Sequence, residues 1–394
     1  MRACHIVYGY FPFDPRVRRE VETLRGHGHE VDVIALQEPG DAREESILGF
    51  HVYRVPLPIV RGGFARYAYQ YLTFLLASTV LLLLLRARHP YRVVHIHSLP
   101  DFQVFCAAPL RLLGARVILD LHEAMPEILA ARFNLSLCSL PVRMARVFEW
   151  ISCAFADAVV AQNETMRDLL VARGVEDSKL VVVMNSPDPS KLVPERDGRL
   201  RAELGLSEHP AIVYVGGINQ ERDLGLLVRA VARLRVRYPI KLLIFGYGDD
   251  SYRHQLLELA DREGLKTAFV LGPRLPQEQV FAHLSLSEIG PITYERNALT
   301  ELTVPNKVFE YAAAKKPLLI ADLKTLRNLF EGAALFYRPG DVEDLVRQAE
   351  SLLNDPELGR ALVSRAERVL ENCSWHIMAD RLRAVYERLS GAGG

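Results

Sequence analysis

Lys307 and Glu310 are the residues whose setting says most about chemistry. They lie in Thr300-Glu301-Leu302-Thr303-Val304-Pro305-Asn306-Lys307-Val308-Phe309-Glu310-Tyr311, which runs on through Ala312-Ala313-Ala314-Lys315-Lys316-Pro317 to Leu318-Leu319-Ile320-Ala321-Asp322. The pattern reads as a polar loop, a short helix and a buried strand that ends in an acid. Pro305 is pre-set for the first helical turn, where its missing N–H costs nothing. The free N–H groups of that turn point into the loop and can hold an anion such as a diphosphate. Glu310, a little over one turn further on, can accept hydrogen bonds from a sugar diol. An anion end and a diol end suit a nucleotide. Many α/β proteins place a phosphate at a helix start, so the pattern by itself names no reaction.

Further chemistry-bearing stretches follow strand-like runs, and loops at the carboxyl ends of parallel strands are where such folds bind ligands. In Tyr8-Gly9-Tyr10-Phe11-Pro12-Phe13-Asp14-Pro15-Arg16-Val17-Arg18-Arg19-Glu20, Asp14 reads as a helix cap and Pro15 as the first helical position. Arg18 and Arg19 read as solvated, Arg16 as a contact to phosphate or acceptor. In Asp120-Leu121-His122-Glu123-Ala124-Met125-Pro126-Glu127, His122 leaves a buried strand into a charged loop. An isolated histidine is usually a satisfied structural group; here the functional reading is preferred, with Glu123 and Glu127 as acceptor contacts. His95 and His97 alternate on a strand and read as structural. Arg222 ends Tyr214-Val215-Gly216-Gly217-Ile218-Asn219-Gln220-Glu221-Arg222. A cation at the start of a helix opposes the macrodipole, which argues against simple solvation. Its planar fork suits two phosphate oxygens. Gly246-Tyr247-Gly248-Asp249 fails as a dinucleotide fingerprint, with Ser251 where a third glycine belongs. Arg274, in Leu271-Gly272-Pro273-Arg274, is as readily a surface residue as a ligand contact. Pro339-Gly340-Asp341 reads as a turn and cap.

The elements that must position these residues alternate in type. Ala3 to Tyr8 is apolar and β-prone, and Val17, Val21 and Leu24 form a helical stripe. Val31 to Ala35, Val93 to His97, Val117 to Leu121, Ala158 to Ala161 and Leu180 to Met184 read as further strands. After the Pro-rich, polar stretch from Asn185 to Gly198, read as a linker, the alternation restarts. Strands are expected at Ala211 to Val215, Ile240 to Phe245, Ala268 to Leu271, Leu286 to Gly290 and Leu318 to Ala321. Leu224, Leu227, Val228, Val231 and Leu234 form a helix stripe. Helices at Val342 to Leu353, Glu357 to Leu370 and Ala379 to Leu389 close the chain. Two Rossmann-like α/β halves with parallel sheets result.

Bulk properties agree. At 394 residues the chain exceeds what one core usually serves, which makes two domains the prior. Apolar residues make up 49% and charged ones 24%, as in ordinary globular proteins, and a formal charge of zero argues against nucleic acid as a partner. Charge is uneven locally, however. Phe50 to Pro100 holds Arg54, Arg61, Arg66, Arg86, Arg88 and Arg92 and no acid, which favours an anionic surface or ligand. Cys4, Cys106, Cys138, Cys153 and Cys373 form no Cys-x-x-Cys and no zinc-type spacing, and fit a reduced cytoplasm. Met1-Arg2 leads straight into a strand-like run, unlike a signal peptide. Tyr67 to Leu85 has no charge over 19 residues. Strand-like flanks at His51 to Val55 and Arg92 to His97 make it a helix packed on the sheet with an exposed apolar edge, not a span. In-plane docking on the inner face of the cytoplasmic membrane stays open.

The stretch Val304 to Pro317 resembles the "L-P-N-K-x-F-E-Y-x-A-x-G-x-P" donor-site motif of retaining glycosyltransferases of family 4, with Lys315 and Lys316 in the turn. Asp14 to Glu20 is similar to the family's "D-P-R-V-R-R-E", and Asp120 to Glu127 to its "D-x-H-D/E-x-x-P-E". Tyr214 to Arg222 resembles "Y-x-G-R-L-x-x-x-K-G", with Gly217 where the arginine stands and Arg222 in place of the lysine. The leading glutamate of "E-x7-E" is replaced by Leu302; the nearest acids are Glu301 and Glu295. The resemblance implies a GT-B fold, with an acceptor domain at 1–188, a donor domain at 189–373 facing it across a cleft, and helix 374–389 crossing back. It also implies sugar transfer, with retention, from a UDP- or GDP-linked donor to a glycan or polyprenyl-linked acceptor in cell-envelope polysaccharide or glycolipid synthesis. Arg222, Lys307 and the backbone of Leu302, Thr303 and Val304 would hold the diphosphate, with Asn306 beside them. Glu310 would bind the ribose and His122 the donor sugar near its anomeric carbon. Gly216, Gly217, Gly246 and Gly248 would let backbone approach the nucleotide, with Arg274 and Glu295 as further donor contacts. Arg16 and Glu123 would face the acceptor.

The chain has no D-x-D, no G-x-S-x-G and no P-loop. The expectation is a metal-free reaction without a cofactor, in which helix dipole and cations stabilise the leaving diphosphate. Two alternatives are weighed: a non-catalytic nucleotide-sugar binder, and an epimerase or phosphorylase on the same fold. The latter need an acid pair or a cofactor-bearing lysine, and the sequence offers no persuasive candidate.

Overall fold

The computed structural model describes residues 1–60, 62–186, 198–206 and 209–391. Arg61 and residues 187–197, most of the expected linker, lie outside the described residues. The chain divides into two units, Met1–Asn185 with His376–Gly394, and Ser186–Trp375.

The first unit is built on one sheet of β1 (Arg2–Tyr10), β2 (Glu30–Leu36), β3 (Glu44–Ile47), β4 (Phe50–Val55), β5 (Val93–His97), β6 (Arg116–Leu121), β7 (Ala158–Ala161) and β8 (Leu180–Val182). The order is β3-β4-β2-β1-β5-β6-β7-β8, and every pairing is parallel except β3 with β4. Strands covered on both faces read as unbroken apolar runs, hence the fully buried Ile6, Val33, Ile34, Ile96, Ile118 and Val159. β3 has the sequence Glu-Glu-Ser-Ile, which carries no apolar alternation and was not expected. Its acids suit an edge strand, where charge discourages further pairing.

Helix Pro15–Gly26 starts as the residues require. Asp14 Oδ1 accepts the Arg16 N–H at 3.0 Å, Pro15 takes the first position, and Val17, Val21 and Leu24 face the sheet. Helix Phe64–Arg86 is the crossover from β4 to β5, two strands of the same sheet. It is long and apolar enough to cross a membrane, yet only 28% of its apolar window is buried. Its buried stripe is Gln70, Phe74, Ser78, Leu82 and Leu85, while Leu72, Leu76, Val80, Leu83 and Leu84 are exposed. Polar side chains on the inner face explain this. Gln70 bonds the N–H and C=O of Val60 and the Tyr8 hydroxyl, and Ser78 accepts from Gln103 at 2.7 Å. The last helix, Trp375–Gly391, belongs to this unit: the Tyr386 hydroxyl lies 2.9 Å from His5 Nε2 and from His95 Nδ1.

Glu127, expected to meet an acceptor, is instead buried against the Arg173 guanidinium, which also holds Glu149 at 2.7 Å. One arginine thus ties helix Met125–Arg132 to helix Leu140–Phe155.

The second unit has two three-stranded parallel sheets. One is β11 (Phe269–Gly272), β10 (Lys241–Gly248) and β9 (Ala211–Ile218); the other is β12 (Gly290–Ile292), β13 (Leu318–Ala321) and β14 (Leu335–Tyr337). The strand expected at Leu286 to Gly290 is a turn, and β12 begins where that strand was to end. The apolar Leu286 and Ile289 flank a polar dock: Ser287 Oγ accepts from the Val213 N–H at 2.9 Å, and the Glu288 N–H donates to Ala211 O at 2.8 Å. β9 and β10 run in register to Gly248↔Ile218. A Cβ on Gly246 would sit 1.7 Å from Gly216 O, and one on Gly248 1.8 Å from Ile218 O. Both glycines are therefore needed by the strand pairing itself.

Arg173→Ala would leave Glu127 and Glu149 buried without their counter-charge. The expected loss is about 3–5 kcal/mol of stability, read from the urea midpoint. Gly246→Ala should cost about 1–3 kcal/mol through forced strand displacement; an unchanged melting temperature would show that β9 and β10 separate more easily than their register implies.

Candidate functional site

In the second unit the chemistry gathers around the end of β9. Helix Asn306–Ala313 carries Lys307 inward, where its Nζ donates to Val215 O at 2.5 Å and lies 4.1 Å from the centre of the Tyr214 ring. Gly216 makes that possible. At φ +152° it takes a conformation side chains rarely adopt, and a Cβ there would stand 2.2 Å from Lys307 Nζ. Gly217 has open space around it, and its carbonyl accepts from the Tyr214 hydroxyl at 2.9 Å.

Arg222 ends a single 3-10 turn, Gln220–Arg222, just before helix Leu224–Leu234. Its guanidinium stacks 4.6 Å from the centre of the Tyr294 ring, and among the described residues its buried Nε has no hydrogen-bond partner. Burial pushes the Lys307 pKa down to about 7, and the neighbouring Arg222 charge pushes the same way while Glu310 opposes both. Burial raises the Glu310 pKa and Lys307 partly offsets that. Arg222, Lys307, Glu310 and Gly216 are thus brought together as one electrostatic group.

Around that group the expectations need adjustment. Pro305 is the N-cap, with ψ 137°, not the first helical residue. The N–H groups of Leu302 and Thr303 are spent in a 3-10 turn, on Leu299 O and Thr300 O at 3.0 and 3.3 Å. They are not free to hold an anion. The positions left without an intrahelical acceptor are those of the first turn, Asn306 and Lys307, with Val304 before them. Glu301 pairs with Arg296 at 3.1 Å and caps the Lys324 N–H, which makes it structural. Glu295 is exposed, but the loop carrying it is pinned beside Arg222. Thr293 Oγ1 donates to Arg222 O at 2.7 Å, and the Glu295 N–H donates to Glu221 O at 3.0 Å. Arg274 is exposed and stacks 5.0 Å from the centre of the Tyr247 ring at the ends of β10 and β11. Tyr247 and Tyr294 were missed by sequence reasoning. Tyr247 lies inside the Gly-x-Gly turn, and the misplaced strand before Tyr294 hid its position.

In the first unit, His122 is buried and both ring nitrogens are engaged. Gln162 Nε2 lies 3.1 Å from Nδ1, while Nε2 is 3.2 Å from Asp120 Oδ2 and 3.1 Å from His97 Nδ1. One assignment satisfies the whole row. His95 Nδ1 donates to Tyr386, Tyr386 to His5 Nε2, and His5 Nδ1 to His97 Nε2 at 2.9 Å; His97 Nδ1 and His122 Nε2 then converge on Asp120. All four rings are neutral in it. Burial accordingly drives the His5 and His95 pKa values well down and brings His122 to about 3, with Asp120 opposing in the latter case. Burial and the Asp120 charge push the Glu20 pKa well up. His5, Glu20, His95 and His97, and separately His97, Asp120 and His122, bring metal-ligand atoms within 4.8 Å of one another. Hydrogen bonds occupy these atoms except His95 Nε2 and Glu20 Oε2. Arg16 is held by both oxygens of Asp14, at 3.1 and 2.9 Å, and Glu123 is exposed nearby, its charge felt by Arg16.

Two family models match the chain: the glycosyl transferase 4-like domain over residues 14–186, and glycosyl transferases group 1 over residues 209–355. The chain is 29% identical over 320 residues to the D-inositol 3-phosphate glycosyltransferase of Rhodococcus jostii, covering 76% of this chain and 68% of that one. It is 23% identical over 384 residues to the phosphatidyl-myo-inositol mannosyltransferase of Mycolicibacterium smegmatis, covering 94% and 89%. In fold it is similar to the sucrose-phosphate synthase of Thermosynechococcus elongatus, with a TM-score of 0.81 at 17% identity over the whole of both chains. Matched in both halves and sharing a fold along its length, the chain belongs to glycosyltransferase family 4 and has the GT-B fold.

Proposed function

We propose that this glycosyltransferase takes a sugar from a UDP- or GDP-linked donor and passes it, with retention of configuration, to a glycan or lipid-linked acceptor in envelope polysaccharide or glycolipid synthesis. The observation that carries the reading is the buried Lys307 ammonium, which meets the Arg222 charge and is offset in part by Glu310. A diphosphate supplies the missing negative charge, from a donor in which that charge grows as the glycosidic bond breaks. Asn306 and Lys307 N–H groups, with Val304, add to it at the helix start. Glu310 takes the ribose hydroxyls, and Tyr247 with Arg274 offers a stacking surface to the base. Gly217 leaves room where the family motif has a side chain.

His122 is neutral above about pH 4 in this reading, so it serves the sugar end by shape and polarity and adds no charge. No carboxylate is assigned as nucleophile, so attack by the acceptor on the face the diphosphate leaves is preferred. The reaction needs no metal or organic cofactor. The acid-free segment Phe50 to Pro100 supports work at the inner face of the cytoplasmic membrane, where anionic lipid would attract it.

Arg222→Ala and Glu310→Ala, with folding intact, should each lower nucleotide release from UDP- or GDP-sugar by about a hundredfold or more, the scale of losing one preorganised charge contact. Full activity in both would end this assignment. The Lys307 pKa gives a second test. An anion beside Lys307 raises its pKa above the free value of about 7, so binding takes up a proton. UDP or GDP affinity should be flat below pH 7 and fall by up to about tenfold per pH unit above it. Isothermal titration in buffers of different ionisation enthalpy would show the uptake, and a pH-independent affinity from 6 to 9 would contradict it.

A further inference from the structure

The first unit contains a recess that the donor chemistry does not use. It encloses about 460 Å³, within the range of ligand pockets, and is walled by Tyr67, Tyr71, Phe102, Leu129, Met144 and Phe148. Helices Phe64–Arg86, Met125–Arg132 and Leu140–Phe155 form its sides. The one charged side chain lining it is Arg132. This guanidinium lies 4.7 Å from the centre of the Tyr67 ring and donates to the Tyr67 hydroxyl; among the described residues no acid pairs with it. The recess therefore couples an apolar volume to one uncompensated positive charge.

Its surroundings point to the same class of ligand. From Phe50 to Phe148 the only acids are Asp101, Asp120, Glu123 and Glu127, and all but Glu123 are buried. Apolar side chains continue outward from the recess along both long helices: Leu76 is 67% exposed, Leu140 70% and Val147 54%. Large exposed apolar area marks a surface that meets an amphiphile; Glu44 reaches the outer groove beside Leu76, Val80 and Leu84 but does not line the recess. A flat leaflet would cover the outer faces of the helices but leave a concave recess empty.

We infer that this recess holds one aliphatic chain of the acceptor, with the phosphate at the head of that chain on Arg132. The inference rests on the transferase reading above and narrows its acceptor to a phosphate-headed lipid. The aromatic walls supply apolar burial, and Arg132 supplies a charge-assisted contact that fixes how far the chain enters.

The test uses the whole chain and farnesyl phosphate carrying a diazirine on its terminal isoprene unit, with crosslinks mapped by peptide mass spectrometry. Crosslinks should fall on the segments of Leu129, Met144 and Phe148. Ala68→Trp and Met144→Trp, both at partly exposed wall positions, should reduce them at least about tenfold with unchanged thermal unfolding. Arg132→Gln should weaken farnesyl phosphate by about tenfold or more and leave farnesol unaffected. Crosslinks confined to the outer face around Leu76, Val80 and Leu84, or insensitivity to both tryptophans, would each overturn the inference. Binding of UDP- and GDP-sugars to the unsubstituted chain is measured in parallel by thermal shift. Binding of neither would sink the transferase reading, whereas crosslinking judges the recess independently.

Discussion

Lys307 is buried, and a buried ammonium is costly unless its surroundings return what water gave it. Here the return is partial. Val215 O takes one of its protons and the Tyr214 ring lies beneath the charge, but Arg222 stands close enough to push its pKa further down. The free protein holds a near-neutral compromise that an anion would resolve. Much of the second unit's local sequence serves this arrangement. Gly216 clears the space for Nζ, and Gly246 lets β10 lie against the carbonyl of Gly216. Thr293 holds Arg222 by its backbone oxygen. Removing any of these would move a charge before it touched a ligand.

The first unit follows a different electrostatic rule. Four histidine rings and a tyrosine are linked by hydrogen bonds, each donor facing an acceptor until the row ends on Asp120. In a low-dielectric interior such a row is stable only if complete. The last helix closes it, since Tyr386 is the link between His5 and His95. The two units thus differ in kind: the second gathers positive charge at Arg222 and Lys307, whereas in the first burial holds the His122 pKa down.

What the sequence disclosed, and what it did not, follows from the range of the interactions. Parallel strands buried on both faces announce themselves as apolar runs, and the cap at Asp14 with Pro15 is a local rule that the structure keeps. The short polar edge strand β3 has no such signature. The Leu286 to Gly290 error has a related cause: Leu286 is half-buried and Ile289 buried, so the run reads as apolar, but Ser287 docks a turn onto β9 and no strand forms there. Residue type could mark Lys307 and Glu310 on a short helix, and Arg222 just before another, as candidates for ligand contact. It could not reveal that Leu302 and Thr303 spend their N–H groups locally, or that Arg173 claims Glu127. Those depend on partners near in space and hidden from a linear reading.

Helix Phe64–Arg86 shows the limit of periodicity most plainly. A helix apolar all round gives no directional signal, and ordinarily such a helix is enclosed. This one is oriented by its few polar residues. Gln70 bonds Val60 and Ser78 accepts from Gln103 on the inner side, so they turn inward and force leucines outward. Exchanging the two faces would leave the buried Gln103 carboxamide without the Ser78 oxygen it donates to, a cost of about 1–3 kcal/mol. The outward leucines are thus a consequence of hydrogen bonding inside the fold, and their exposure is as firmly specified as the burial of Phe74 and Leu82.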